Sequence, residues 1–298
     1  MSYTVKNLRG EGSLEVTEFS SHRPNFGTPK GDCHLQSHTK FVNLASVVMH
    51  SEQPTSADLD LDRINGELLE ASPTEIIAWA AERFGGRLVM STSFGATSAV
   101  MLHLVSRVAP DTKIICIDTG YLFPETYRFA DELTRRFSLD VRWYAASMSA
   151  ARQEALFGKM WEEGEEGVQR YLRINKVEPM QRALHELSAE AWVAGLRAAQ
   201  TEHRAALRPV ELQDGRVKVH PILGWTEDDV TRYMEEHDLP YHPLVADGYR
   251  SIGDHHSTLP TTPDMDPRDG RILGKKRECG LHLPLTEAQN QSFKSSGL

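Results

Sequence analysis

Cysteine is scarce: the 298 residues hold three, Cys33, Cys116 and Cys279, far apart and with no CxxC pair. That spacing excludes a disulfide framework and a four-cysteine zinc or iron–sulfur site, and it suits a reducing cytoplasm. Long apolar runs are lacking too. No stretch approaches the roughly 18 residues needed to cross a bilayer, and mean hydropathy is −0.43, which excludes a membrane-spanning reading. The opening MSYTVKNLRGEGSLEV has no continuous apolar segment of the secretory kind. Positive charge is in deficit, with 33 Lys and Arg against 42 Asp and Glu and a formal net charge of −9. This is the reverse of a general nucleic-acid binder, so an anionic partner must be met by a local basic patch. With 25% charged and 40% apolar residues, the chain has the composition of one large globular domain or two modest ones.

Residues 1 to about 55 mix Gly, Ser, Asn, His and Thr with little periodicity and read as a poorly ordered extension, with a short helix near Phe41 to Met49. Order begins at Ser72-Pro73-Thr74-Glu75, a capping box with proline at the first helical position, and a helix runs to about Phe84. Arg87 to Ser91 is a short apolar run that predicts a buried strand, Ala96 to Val108 a helix, and Lys113 to Ile117 a second strand. A helix over Pro124 to Phe137 and a strand over Val141 to Tyr144 follow. This alternation argues an α/β fold with a mostly parallel sheet, helices on both faces and right-handed crossovers. Ala191 to Gly195 and Val217 to His220 are later strands, and Lys176 to Leu187 and Thr226 to His237 later helices. From Tyr241 onward the chain is rich in Pro, Gly, Asp and Thr and reads as a mobile tail. The domain is expected to span 56 to 260, with 261 to 298 as the tail.

In an open parallel sheet, ligands bind beyond the carboxyl ends of the strands. The loop Ser91-Thr92-Ser93-Phe94-Gly95-Ala96-Thr97-Ser98 carries hydroxyls and a glycine into a helix N-terminus. It is an anion cradle or a Ser/Thr-capped turn, and not a Walker loop, because no Gly-Lys-Ser/Thr follows. The second loop, Asp118 to Thr126, puts an acid and aromatics at a strand end, or is a tight turn. Near the other terminus Arg268, Arg271, Lys275, Lys276 and Arg277 stand against one acid, Asp269, and lead to Cys279 and His282. A solvated basic tail is the plain reading. Nearby cations also lower a thiol's pKa, so Cys279 is the candidate nucleophile, whereas Cys116 inside an apolar strand suits packing. His255-His256 and the pair His237 and His242 lack the spacing and cysteine partners of a zinc site, and the adjacent His255-His256 are expected to face solvent, so no metal is assigned.

These segments, in this order, resemble the assimilatory phosphoadenylyl-sulfate reductase family, thioredoxin-dependent enzymes that reduce 3′-phosphoadenylyl sulfate to sulfite. The resemblance covers about residues 60 to 283. It is carried by STSFGATS (Ser91 to Ser98), DTGYLFPETY (Asp118 to Tyr127), GKMW (Gly158 to Trp161), NKVEPM (Asn175 to Met180), GLR (Gly195 to Arg197), YHP (Tyr241 to Pro243), GYRSIGD (Gly248 to Asp254) and KRECGLH (Lys276 to His282). It implies an adenine-nucleotide alpha-hydrolase-like fold related to ATP pyrophosphatases. Those relatives carry S-G-G-x-D-S, where this chain has Phe94 for the first Gly and Thr97 for the Asp, a departure that speaks against ATP cleavage. Members with an iron–sulfur cluster carry cysteines where this chain has Tyr171, Leu172, Asp254 and Ser257, so the resemblance implies no cluster here.

The resemblance implies that Cys279 attacks the sulfuryl sulfur and forms an S-sulfocysteine, from which thioredoxin or glutaredoxin releases sulfite. Ser91, Ser93, Phe94 and Gly95 would border the phosphosulfate, and Asp118, Thr119 and Gly120 would line the adenosine pocket. Lys176, Arg197, Arg271, Lys275 and His282 would neutralise the anionic groups. No bound cofactor, nucleic acid or membrane is expected, and the oligomeric state is left open, a homodimer included. The competing readings are a cluster-free adenylyl-sulfate reductase, an ATP-using enzyme of the same fold, and a non-catalytic nucleotide binder.

Overall fold

The computed structural model describes residues 59–262, 264–271 and 281, together with strands 3–6 and 15–18. The chain divides into two compact units, Met1–Pro54 and Thr55–Leu298. In the first, β1 (Tyr3–Lys6) pairs antiparallel with β2 (Glu15–Glu18), Val5 opposite Val16. The sequence reading expected no order there; its Thr and Val residues favour strands, but four-residue runs are too short to show a period. The expected helix at 41–49 and Cys33 lie outside the described residues.

The second unit opens with α1 (Leu61–Glu67) and α2 (Pro73–Phe84). The expected capping box closes α2: Ser72 Oγ accepts from the Glu75 amide at 3.3 Å, and the Glu75 carboxylate accepts from the Ser72 amide at 2.7 Å. Then come β3 (Leu88–Thr92), α3 (Ala99–Val108), β4 (Lys113–Asp118), α4 (Pro124–Phe137) and β5 (Asp140–Ala145). Next are α5 (Ala150–Phe157), α6 (Gly164–Leu172), a π-helical turn over Arg173–Val177, and α7 (Glu178–Glu186). The order closes with β6 (Ala191–Val193), α8 (Glu202–Ala205), β7 (Val210–Gln213), β8 (Arg216–Val219) and α9 (Glu227–Glu236).

Six strands form one sheet in the order β5-β4-β3-β6-β8-β7, parallel throughout except for β7. Alternate residues face opposite sides, as the two-residue period of a strand requires. Leu88, Met90, Ile114, Cys116, Ala191 and Val193 enter a core with residues of α2, α3, α4 and α9. Val89, Ile115 and Trp192 enter a second core with Met180, Ala183 and Leu184 of α7. Helices therefore cover both faces, and the apolar runs of β3, β4 and β6 follow from burial on both sides. Cys116 is fully buried, as expected of a packing cysteine, and burial pushes its thiol pKa up.

Three differences from the sequence reading have physical causes. First, α3 starts at Ala99 rather than Ala96, because the Ser98 amide and hydroxyl both bond to the Gly95 carbonyl and close a separate turn. Second, β7 and β8 form a hairpin around Asp214 and Gly215, whose φ angles of 52° and 78° suit a type I′ turn. Polar neighbours conceal that strand. Third, the stretch from Tyr241 is packed rather than mobile as far as it is described: His242, Ile252, Asp254, Ser257 and Thr258 are buried. Leu259 bonds to Gly270 and Thr261 to Gly248 through the backbone. Among the described residues no helix is long and apolar enough to cross a membrane.

The outer edge of the sheet is closed by a side chain. Asn65 on α1 donates to the Val210 carbonyl at 2.8 Å and accepts from the Val210 amide at 2.9 Å, so it pairs with β7 as a neighbouring strand would. Asn65→Leu leaves both buried backbone groups unsatisfied and should cost about 2–4 kcal/mol. Urea unfolding measures this, and an unchanged midpoint would remove the edge-closing role.

Candidate active site

The carboxyl edge of the sheet is where the loops after β3 and β4 emerge. In the first, Phe94 adopts φ +46°, a left-handed conformation that is uncommon for a bulky residue. Its ring is fully buried and stacks on Trp143 of β5, with centroids 5.9 Å apart and planes 19° apart. Its amide bonds to Thr92 Oγ1 at 3.1 Å. The Phe94 side chain is therefore a packing anchor, and what this residue offers to the edge is its backbone. Ser91 Oγ accepts from the Trp192 indole at 2.7 Å, which leaves the Ser91 hydroxyl hydrogen free for another acceptor. Ser93 is exposed, and Gly95 is half-buried.

In the second loop, Asp118 Oδ1 accepts from the Gly120 amide at 2.8 Å and the Tyr127 hydroxyl at 2.7 Å. Burial and Asp118 together raise the Tyr127 pKa, so the phenol stays a donor. Gly120 has φ +75°, and a Cβ there would stand 3.0 Å from Ala150, so glycine fits both conformation and space. Thr119 is buried and donates to Asp254 Oδ1 at 2.7 Å.

Asp254 is the meeting point of the site. The residue is 2% exposed. Besides Thr119 it accepts from the Tyr171 hydroxyl at 3.1 Å and pairs with Lys176 Nζ at 2.8 Å. Its own segment joins the β4 loop through an antiparallel bridge to Leu122 and a 2.8 Å bond from the His255 amide to the Tyr121 carbonyl. Burial pushes the Asp254 carboxyl up, but the charge and hydrogen bond of Lys176 and the Thr119 hydroxyl outweigh it and hold the pKa at about 2. Lys176 comes from the π-helical turn, where Asn175 is fully buried and bonds to Gln153 and to the Tyr171 carbonyl.

Around this knot lies a small pocket lined by Trp161, Tyr171, Lys176, Asp254, His256 and Arg271, with Val168, Leu172 and Ser257. His256 stacks on Trp161, with ring centroids 3.8 Å apart and planes 9° apart. The adjacent histidines were expected to face solvent; His255 is exposed, but His256 lines the cavity because Trp161 and Tyr171 offer it aromatic surface. Burial holds its pKa at about 4, against the pull of Asp254. His242 is likewise a core residue: its Nδ1 accepts from the Leu244 amide and its Nε2 meets Thr126 Oγ1 at 3.0 Å. Its pKa is lowered to about 4 by burial.

Of the sequence-predicted cations, Lys176, Arg197 and Arg271 are among the described residues. Lys176 and Arg271 share the cavity. Arg271 donates to the Ile252 carbonyl at 2.8 Å, and its Nε is buried with no hydrogen-bond partner among the described residues. Arg197 is buried after β6 and pairs with Glu227 at the start of α9 at 2.6 Å. Lys275, Cys279 and His282 lie outside the described residues. Leu281 is described, and packs against the core that includes Trp192, Ala194 and Leu196 at the exit of β6. Sequence reasoning did not select Asp254, Tyr171, Trp161 or His256 as site residues. The segments GKMW and GYRSIGD were the available signal.

Sheet order, crossover helices and a polar knot at the carboxyl edge define an α/β enzyme of the adenine-nucleotide alpha-hydrolase-like class. The model of the phosphoadenosine phosphosulfate reductase domain matches residues 87–260. A phosphoadenosine 5′-phosphosulfate reductase of Alkalilimnicola ehrlichii is 53% identical over 230 residues, 77% of this chain and 94% of that protein. One from Synechocystis is 53% identical over 246 residues, covering 82% and 99%. The crystal structure of a phosphoadenylyl-sulfate reductase from Candida auris, a phosphate complex, superposes with TM-score 0.59 at 33% identity, over 67% of this chain and 96% of that one. The chain belongs to the phosphoadenosine phosphosulfate reductase family and is a reductase.

The shifted groups set the acid response of the fold. His242 and His256 have folded pKa values of about 4 against 6.5 for free histidine. Between those values the unfolded chain binds protons that the folded chain does not, so stability falls as pH drops through that range. Asp254 adds a further loss between 3.8 and about 2. Urea unfolding across a pH series should show this, with His242→Gln flattening the upper part. A variant as acid-sensitive as the parent there would exclude His242 as a cause.

Proposed function

We propose that this protein reduces 3′-phosphoadenylyl sulfate to sulfite and adenosine 3′,5′-bisphosphate, with thioredoxin or glutaredoxin as electron donor, in cytoplasmic sulfate assimilation. The observation that carries the reading is 53% identity to enzymes of that name over nearly their whole length. The geometry agrees with it: two cations and one internal carboxylate line a cavity among the site residues. That leaves positive charge for an anionic ligand where water is sparse and charges act strongly.

The chemistry follows from the substrate, a mixed phosphate–sulfate anhydride with an electrophilic sulfur. The Cys279 thiolate attacks that sulfur. A sulfur–sulfur bond forms, the bridging sulfur–oxygen bond breaks, and its electron pair leaves on adenosine 3′,5′-bisphosphate. The S-sulfocysteine is then attacked at Cys279 Sγ by a thioredoxin thiolate, and sulfite leaves with the electron pair of the sulfur–sulfur bond. The donor's second thiolate resolves the mixed disulfide, so two electrons come from one dithiol. Lys176 and Arg271 hold the anionic groups, with Arg197, Lys275 and His282 assigned to the same task. Ser91, Ser93 and the backbone of Phe94 and Gly95 border the phosphosulfate, and Asp118, Thr119 and Gly120 border the adenosine.

No iron–sulfur cluster takes part in this reading. Tyr171, Leu172, Asp254 and Ser257 all line the cavity. They offer a phenol, an isobutyl group, a lysine-paired carboxylate and a hydroxyl, none of them a thiolate. The purified protein should be colourless, and stoichiometric iron with labile sulfide would refute the reading.

Intact mass after mixing with phosphoadenylyl sulfate should show a gain of one SO₃ on Cys279. Cys279→Ser should abolish sulfite release while nucleotide binding survives, because a serine hydroxyl is a poor nucleophile at neutral pH. Substantial turnover by this variant would end the mechanism. Equal use of adenylyl sulfate would favour the cluster-free adenylyl-sulfate reductase instead.

A further inference from the structure

We infer that Asp254 is a positioning residue for the reaction: it holds the Lys176 ammonium at the cavity wall and, through Thr119, locks that cation to the loop leaving β4. The inference rests on the proposed function, in which Lys176 meets an anionic group of the substrate.

Both carboxylate oxygens are in use. Oδ1 takes the Thr119 hydroxyl, while Oδ2 takes the Lys176 ammonium and the Tyr171 phenol. These donors come from the β4 exit loop, the π-helical turn and α6. Their shared acceptor belongs to a fourth segment, which is itself bridged to Leu122. Raised by burial and by Asp254, the Tyr171 pKa keeps that phenol a donor.

The case for a role in binding is one of charge and freedom. A lysine ammonium sits on four rotatable bonds, whose rotamer entropy a ligand must otherwise remove. Asp254 removes it before the ligand arrives. The Lys176 side chain is only 11% exposed, so without a counter-charge the ammonium would be costly to keep beside the water-poor wall. An ammonium has three donors. Asp254 is its partner among the described residues and takes one, which leaves the others for the cavity. A pair that served the fold alone would have no need to face the cavity, yet Asp254, Lys176 and Tyr171 all line it. The π-helical turn supplies the last element, since its extra residue puts Asn175 inward and Lys176 on the cavity side, and such turns recur at functional sites.

The test is a double-mutant cycle in the full chain carrying Cys279→Ser, so that ligand is not consumed. Calorimetry measures phosphoadenylyl sulfate and, separately, uncharged adenosine. Asp254→Asn should weaken phosphoadenylyl sulfate roughly 10- to 100-fold and leave adenosine unchanged. Lys176→Met should do the same. In the Lys176→Met background, adding Asp254→Asn should cost nothing further. That double variant carries neither buried charge, so it keeps the question answerable if Asp254→Asn alone does not fold. A further loss in the double variant, or equal losses for adenosine, would make Asp254 a structural residue and overturn the inference. A Cys279→Ser parent that binds phosphoadenylyl sulfate beside an Asp254→Asn variant of unchanged affinity would overturn this inference alone. A parent that does not bind it overturns both readings.

Discussion

A carboxylate removed from water must be satisfied completely or it neutralises itself, and the effective cost of burying one ion runs to several kcal/mol. Asp254 meets that demand with a lysine, a threonine and a tyrosine drawn from separate segments. None of these donors is a sequence neighbour, so the charge is satisfied only when the β4 loop, α6, the π-helical turn and the segment around 254 take one arrangement. The cavity walls follow from it. Such a pair is a weak source of net stability, because desolvation consumes most of the Coulomb gain. Its effect is to penalise alternative arrangements, each of which strands a buried charge.

The loop after β3 is fixed in a different way. Left-handed backbone costs an L-residue roughly 1–2 kcal/mol, and glycine is the usual solution. This chain uses Phe94 and offsets the strain by burying the ring against Trp143, a burial of the order of 1.5–3 kcal/mol. Loop conformation is thereby tied to side-chain packing on β5. The loop is less adaptable than a glycine loop, and the two site loops are fixed by independent means, one by packing and one by charge.

Legibility in the sequence tracked the locality of the signal. The Ser72 capping box, the apolar runs of β3, β4 and β6, and the Pro124 to Phe137 helix are local patterns, and the structure has them. Helices α5 and α6 are short and carry charged residues along their length, and β7 is a four-residue strand followed by the Asp214-Gly215 turn; none shows a period long enough to read. The described part of the segment beyond Tyr241 is packed where its composition suggests mobility, because composition is a poor guide where order comes from partners elsewhere. Its anchors are the Asp254 knot, the bonds of Arg271 to Ser251 and Ile252, and the backbone pairs of Leu259 and Thr261. The same limit applied to the site. Lys176 could be selected as a cation in a motif segment and Arg271 in a basic run, but Tyr171 and Asp254 stand 83 positions apart, and nothing local in either marks the other.

Partners also decide what each site cation has left for a ligand. The Arg197 guanidinium already faces Glu227, and Lys176 faces Asp254. Arg271 has carbonyl and hydroxyl acceptors but, among the described residues, no carboxylate. A cation whose charge is balanced by a neighbour contributes directed hydrogen bonds more than field, whereas one held by neutral acceptors projects its full charge into the cavity. In the proposed reaction Arg271 would thus attract the incoming anion, and Lys176, pre-aimed by Asp254, would set where that anion comes to rest. The division separates capture from alignment. In the proposed reaction only alignment affects how well the bound group presents itself to a nucleophile, so that role would fall to Lys176, whose position the Asp254 knot fixes.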